Sequence, residues 1–480
     1  VHPAEFFVKS AIDAASKVEW LSRRMVSSRS RLAGGCYVFA APDNYVGVCA
    51  FYSLFFRAFS CFRVVSSSFF LALLLWSTQS AGGQLQAIEE PGFPRILGMN
   101  IGAKNYDEPA YRRMLALPDV VVLGFYPDWV GKDSRWSIRT LVRQLKRENP
   151  NLLIGQYTIL SEAYDPKDRR YADKDKGRQL ERLDWWLRDE NGKRVQWTDR
   201  YDSWETNITH WAPMDADSKR YPQWLAERDF GTYFGRFPEF DIWYLDNVLS
   251  KPAVTVADWD RDGRNDNAND AHVAQAHREG HVAEWARARQ LRPGIILMGN
   301  TDDLTSREYS GQLQGAFLEA LIGASWSLEK WKGWGVMMRR YHDAMERTTH
   351  PRIVGFNVHG SSSDYQLMRY GLASCLLDDG YFSYTDEAKG YSSVPWFDEF
   401  DLELGRPLEP AQSKPWKGGV YRRLFERGMV LVNPGRSAVR LRLEAGYRRF
   451  LGVQDAVVNS GRAVTELELS GRDGLLLLRD

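Results

Sequence analysis

The sequence predicts an α/β fold: a (β/α)₈ barrel followed by a small C-terminal antiparallel β-domain. Three observations predict it. From Gly92 onward, short apolar runs alternate with longer amphipathic stretches, the signature of βα units and a parallel sheet. Eight such runs spread over about 290 residues, the span of one closed barrel. After about Trp416 the pattern changes to short strands separated by tight turns.

The eight runs are Arg95–Ile101, Val120–Tyr126, Leu152–Thr158, Phe240–Asp246, Gly294–Gly299, Gly315–Glu319, Arg352–Val358 and Gly380–Tyr384. Helical periodicity fills the gaps at Tyr111–Leu117, Ser137–Glu148, Tyr221–Phe234, Ala271–Leu291, Leu328–Arg347 and Asp364–Leu376. An open doubly wound sheet is the competing architecture, but no Gly-x-Gly-x-x-Gly follows the first strand. Two insertions interrupt the alternation. The first, between strands three and four, contains Asn191-Gly192, a type I′ hairpin signal. The second follows strand four. In the tail, Met429–Gly435, Ala438–Leu443 and Gly474–Arg479 read as strands of a β-domain that packs on the barrel as a structural appendage.

Composition sets the class. Hydrophobic residues make up 44% of the 480-residue chain and charged residues 26%, a globular balance. The net charge of +1 points to neither nucleic acid nor an anionic membrane. The 18 Trp and 22 Tyr suit the apolar faces of sugars and an ordinary core alike. Of the four cysteines, Cys36, Cys49 and Cys61 fall early, and a lone Cys375 inside an apolar run reads as a small buried hydrophobe.

The chain opens with Val, and residues 1–60 show no sustained period of 2 or 3.6. Arg63, the apolar stretch that ends at Trp76 and the small residues after it have the layout of a secretory signal peptide. The stretch is short of the roughly 20 apolar residues a membrane span needs. Translation is expected to start near residue 64 or at Met25, with cleavage near Ser80 or Ala81. An anchor that stays attached is the alternative; either way the working domain is exported. The expected segments are 1–63 as an upstream extension, 64–81 as signal peptide, 92–410 as barrel and 416–480 as β-domain.

Polar residues at the C-terminal ends of barrel strands face the active site. Those ends give Tyr126, Asp128 and Trp129, Gln156 and Tyr157, Tyr244, Asp246 and Asn247, Asn300, Glu319, Asn357 and His359, and Tyr384 and Asp386, with Trp326 close by. Each alone also fits a loop cap or a solvated side chain. Together, carboxylates, amides and aromatic rings describe a site for a polyhydroxylated, largely uncharged substrate. Asp246 and Glu319 stand out because each closes an otherwise apolar strand, where an unpaired acid costs several kcal/mol unless it sits at the open rim. Glycoside hydrolysis needs two carboxyl groups astride one bond. Strands four and six are close enough around a barrel to supply them. Asp128 is the third choice, as a sugar ligand or a substitute acid.

The segment Asp258-Trp-Asp-Arg-Asp-Gly-Arg-Asn-Asp266 has acids at positions 1, 3, 5 and 9 and Gly at 6 of an EF-hand-like loop. Asp258, Asp260, Asp262 and Asp266 are therefore candidate ligands for a structural Ca²⁺, although Asn269 replaces the usual Glu at position 12. An acidic turn without metal is the plainer reading. No catalytic cofactor is indicated. His272, His277 and His281 have the spacing of a helix surface and form no ligand cluster.

With those residues in view, the chain resembles hypothetical glycosyl hydrolase family 15. The resemblance lies in Leu97–Ile101, the Tyr126-Pro-Asp-Trp129 run, Tyr244-Leu-Asp-Asn247, the acidic loop after it and the Glu319 strand end. It spans roughly residues 94–405. More distantly the chain is similar to family 114, the endo-α-1,4-polygalactosaminidases, and to the clan of α-galactosidases. The resemblance implies a (β/α)₈ glycosidase with Asp246 as nucleophile and Glu319 as general acid/base. It names no substrate; the leading expectation is a retaining O-glycosyl hydrolase acting on an α-linked polysaccharide or oligosaccharide. A non-catalytic carbohydrate-binding barrel and a transglycosylase are the alternatives, since both would keep the same cleft.

Overall fold

A computed structural model describes residues 92–102, 105–124, 137–165, 174–199 and 202–480. The expected signal segment and Cys36, Cys49 and Cys61 lie outside the described residues. Eight strands form one parallel sheet: β1 (Leu97–Asn100), β2 (Val120–Leu123), β3 (Leu153–Ile159), β4 (Ile242–Val248), β5 (Ile296–Thr301), β6 (Gly315–Ile322), β7 (Ile353–Gly360) and β8 (Tyr381–Asp386). Their order in the sheet is their order in the chain. A parallel bridge from Ile96 to Phe382, with Phe382 N donating to Arg95 O at 2.8 Å, brings the last strand back to the first. The result is a TIM barrel. Strands such as Val120–Leu123 are buried on both faces, which is why they are runs of apolar residues rather than alternating ones.

The helices are α1 (Pro109–Ala116), α2 (Ile138–Glu148), α3 (Lys174–Arg182), α4 (Tyr221–Asp229), α5 (Ala271–Leu291), α6 (Leu328–Lys332), α7 (Trp334–Arg347) and α8 (Tyr365–Cys375). Local chemistry sets their ends. The Ser137 hydroxyl accepts from Thr140 N to start α2, and the Asp364 carboxylate accepts from Leu367 N to start α8. Leu141, Val142 and Leu145 form the inward stripe of α2. The helix expected over Leu328–Arg347 is broken in two by Gly333, which sits at φ 84°. The one expected over Tyr221–Phe234 passes into a π-turn at Phe230–Phe234.

Two further expectations need correction. The Asn191-Gly192 turn is not type I′: only Gly192, at φ 73°, is left-handed. The Asp189 carboxylate accepts from Asn191 N and Lys193 N, which holds Asn191 at negative φ and leaves glycine alone to reverse the chain. His277 and His281 do not lie on a helix surface either. They point inward from α5, 5% and 0% exposed, because residues four apart share a face and this face packs on the barrel. His272 remains outside.

Cys375 is buried, as expected of a small apolar filler. The tail forms a four-stranded antiparallel sheet from β9 (Tyr421–Phe425), β10 (Gly428–Asn433), β12 (Tyr447–Arg449) and β14 (Asp473–Arg479). β11 (Val439–Arg442) pairs with β13 (Glu466–Leu469). The sheet docks on α8, where the buried Arg369 guanidinium meets Asp455 at 2.5 Å and Asp473 at 3.3 Å. No helix among the described residues is long and apolar enough to cross a membrane.

Candidate active site

Both acids owe their position to irregular strands. The β4–β5 ladder runs in register to Leu245↔Gly299 and resumes at Val248↔Thr301, so Asp246 and Asn247 together face Asn300. The β6–β7 ladder runs to Leu318↔Phe356 and resumes at Ile322↔Val358, so Glu319, Ala320 and Leu321 together face Asn357. In each bulge the residue after the acid is left-handed, Asn247 at φ 53° and Ala320 at φ 46°. That conformation costs a non-glycine residue roughly 1–2 kcal/mol. Bulges bend a strand and re-aim its side chains. Here they turn two carboxylates toward one point.

That point is the Asn300 amide. Its Nδ2 donates to Asp246 Oδ1 at 3.0 Å and to Glu319 Oε2 at 3.1 Å. Two oxygens so close to one nitrogen are within about 6 Å of each other, and with one N–H aimed at each the amide fork sets them about 5 Å apart. Asp246 also accepts from the Tyr157 hydroxyl at 2.5 Å and from Asn247 N at 3.0 Å. Glu319 accepts from the Tyr391 hydroxyl at 2.5 Å, and Tyr391 lies 3.3 Å from His359 Nε2. The Trp326 ring meets the His359 ring edge-on at 5.8 Å. Met99, Ile101, Tyr244 and Phe317 complete the lining of the pocket between the acids.

Burial governs the electrostatics. It raises the pKa of Asp246, while the Tyr157, Asn300 and Asn247 donors pull it back down. It pushes His359 down to about 4, so that ring is neutral at pH 7. Tyr244 is held well above the usual phenol range by burial and then by the charge of Asp246 and Glu319. The pocket therefore offers two acids, phenol and amide donors, and apolar walls.

The other expected residues are placed as follows. Tyr126, Asp128 and Trp129 lie outside the described residues. Tyr157 and Tyr244 stack at 5.9 Å beneath Asp246. Gln156 is fully buried and turns its amide back to Tyr157 O. Asn247 points away from the pocket, donating to Glu162 Oε1 at 3.2 Å. Asn357 is fully buried behind Glu319. Tyr384 packs on Phe397 and donates to Ser361 O, a core role. Asp386 caps a turn by accepting from Ala388 N. Gln156, Asn247, Asn357, Tyr384 and Asp386 are thus not brought to the acid pair; Gln156, Asn357 and Tyr384 fall inside their strands rather than at the ends, and all five side chains are spent on the fold.

Two residues near the acids were not singled out from the sequence. Tyr391 lies five residues past β8, held by Gly102 N donating to its carbonyl at 3.0 Å. The only sequence signal was an aromatic residue directly after Gly390. Glu162 lies just past β3 on a short ribbon, Glu162–Tyr164 with Ser203–Glu205, opposite Glu205. Burial raises Glu162, and burial with the facing Glu162 raises Glu205 further. Nothing in its local pattern distinguished Glu162 from a loop acid.

In the second insertion, carboxylate oxygens of Asp258, Asp260 and Asp262 lie within 4.8 Å of one another. Asp266 stands outside that group, accepting from Trp259 N at 3.1 Å, and Asn269 accepts from the Lys251 ammonium. The loop is stitched to the Asp189–Gly192 turn through Asp258 N to Arg188 O and Glu190 N to the Asn265 amide.

No curated protein matches the chain. Among solved structures, the glycoside hydrolase domain of PelA from Pseudomonas aeruginosa is 15% identical, with a TM-score of 0.38 over 62% of this chain and 98% of that one. An Anoxybacillus α-amylase is 9% identical, with a TM-score of 0.43 over 82% and 98%. The α-amylase from Geobacillus thermoleovorans complexed with acarbose is likewise 9% identical, with a TM-score of 0.43 over 80% and 98%. The model of hypothetical glycosyl hydrolase family 15 matches residues 146–429, a span that holds both bulged acids and six of the eight barrel strands whole. Matched over more than half of its length, the chain belongs to hypothetical glycosyl hydrolase family 15.

Proposed function

We propose that this glycosidase is an exported, retaining enzyme that cuts an α-linked polysaccharide or oligosaccharide. The observation that carries the reading is the Asn300 amide bonded to both Asp246 and Glu319. Retaining enzymes keep their carboxyl groups about 5–5.5 Å apart and inverting enzymes about 6.5–9.5 Å, because only the latter must fit a water between acid and sugar. The bridging amide favours the shorter class. Asp246, with three donors on its two oxygens, is suited to stay ionised and attack the anomeric carbon. Glu319 gives its proton to the leaving oxygen and then takes one from the water that frees the sugar.

The substrate reading follows from the lining. No Lys or Arg stands among the described residues that line the pocket, and Tyr244, Phe317 and Tyr391 offer ring faces, which suits a neutral sugar. The α-linkage rests on the family resemblance, and export on the signal-like segment that ends near Ala81. A structural Ca²⁺ at Asp258, Asp260 and Asp262 would stiffen the insertion that follows β4, with affinity in the weak range of extracellular modules.

Reducing-end release from soluble starch, dextran, pullulan, galactomannan and carboxymethylcellulose should identify a substrate. On it, Asp246→Asn and Glu319→Gln should each lower kcat by about 10³-fold or more. Unimpaired turnover in either variant would remove that residue from the chemistry, and tight binding without turnover in the wild type would mark a carbohydrate-binding barrel. Larger products instead of hydrolysis would mark a transglycosylase. Proton NMR of the first product should show the anomer of the substrate; the opposite anomer would exclude Asp246 as nucleophile.

The acidic limb of kcat/KM should lie above the ordinary aspartate range, since burial raises Asp246 and the ionised form is the one that attacks. Tyr157→Phe removes a donor that lowers this pKa, so the limb should move further up; a downward move or none would show that Tyr157 does not hold Asp246 ionised. For calcium, about 5 mM CaCl₂ should raise the Tm of the wild type over an EGTA control, and Asp260→Asn should abolish the difference. Equal melting with and without calcium would leave the three acids as a solvated turn.

A further inference from the structure

We infer that Asn357 is a positioning residue that aims Glu319, acting through the backbone of Ala320. The inference rests on Glu319 being the acid/base proposed above. Along the β6–β7 ladder, three residues of β6 stand where β7 has only Asn357. A regular parallel ladder would offer Ala320 N a backbone carbonyl. Instead it donates to Asn357 Oδ1 at 2.9 Å. Ala320 is left-handed at φ 46° and 1% exposed, so its N–H has no water to fall back on, and alanine by itself does not favour that turn.

The clamp is itself held. Asn357 Nδ2 donates to Thr385 Oγ1 at 3.0 Å and to Ser383 Oγ at 3.2 Å, both on β8. A backbone N–H can only donate, so the oxygen of the amide must face Ala320 and the nitrogen must face β8. With its surface fully covered and both ends of its amide engaged, Asn357 acts on Glu319 from behind rather than on a sugar. Without it, the bulge would relax toward the regular pleat, in which a shift of one residue turns a side chain to the opposite face of the sheet. Glu319 would then leave Asn300.

The test uses Asn357→Ala alone and combined with Ala320→Gly, because glycine takes positive φ without help. In crystal structures, Glu319 should lose its hydrogen bond to Asn300 in the single variant and regain it in the double. On the glycan that the wild type hydrolyses fastest, the single variant should lower kcat at least about 10-fold with KM changed by less than about threefold. The double variant should recover most of that loss, which filling or emptying a core site would not do. If Asn357→Ala does not accumulate as folded protein, Asn357→Ser carries the same expectations: it keeps a hydroxyl toward Thr385 but falls short of Ala320. An unmoved Glu319 in the single variant, or no recovery in the double, overturns the inference. Should Glu319→Gln turn over like the wild type, the acid/base assignment fails, while the crystal structures still decide whether Asn357 sets that side chain's position.

Discussion

One amide nitrogen holds the site together. Asn300 Nδ2 reaches an oxygen of Asp246 and an oxygen of Glu319, so the distance between the two acids is fixed by the geometry of a single planar group. Burying two carboxylates in one pocket is expensive, because each loses its water and repels the other. The cost is met by donors already in place: the Asn300 amide for both acids, Tyr157 and Asn247 N for Asp246, and Tyr391 for Glu319. These groups do not have to reorganise when charge develops on a reacting sugar, and that preorganisation gives the pair its chemical use.

The barrel supplies this arrangement by departing from regularity at two strands. A regular parallel ladder alternates its side chains strictly, and polar ends aimed only by that alternation would point wherever the pleat sends them. At β4 and β6 the register slips beside an asparagine of the next strand, and the residue after each acid turns left-handed. The strain of roughly 1–2 kcal/mol at each bulge is small beside what the surrounding ladders and core contribute. The neighbours also fasten it: Glu162 takes the Asn247 side chain, and Asn357 takes the Ala320 N–H.

Closure of the barrel adds the last element of the pocket. Tyr391 comes from the segment beyond β8, and only the return of that strand to β1 brings its hydroxyl to Glu319. The residues that a strand-end rule selects therefore divide in two. Asp246, Asn300, Glu319, Tyr157 and Tyr244 converge, with His359 and Trp326 behind Tyr391. Gln156, Asn247, Asn357, Tyr384 and Asp386 serve the backbone that holds them there.

What the sequence determined by itself was periodic or local. Apolar runs of strand length at regular intervals gave eight staves and their order, since a strand buried on both faces admits little else. An acid closing such a run could only belong at a rim, which singled out Asp246 and Glu319. The turn signals were legible too, though the Asp189 side chain set the turn type where Asn191-Gly192 had pointed to another. The tertiary structure decided everything that depends on register across strands. Which asparagine faces which bulge, that His277 and His281 look inward, and that Glu162 and Tyr391 stand beside the acids follow from contacts between residues far apart in the chain. Those contacts exist only once the sheet has closed, and no spacing along a single strand encodes them.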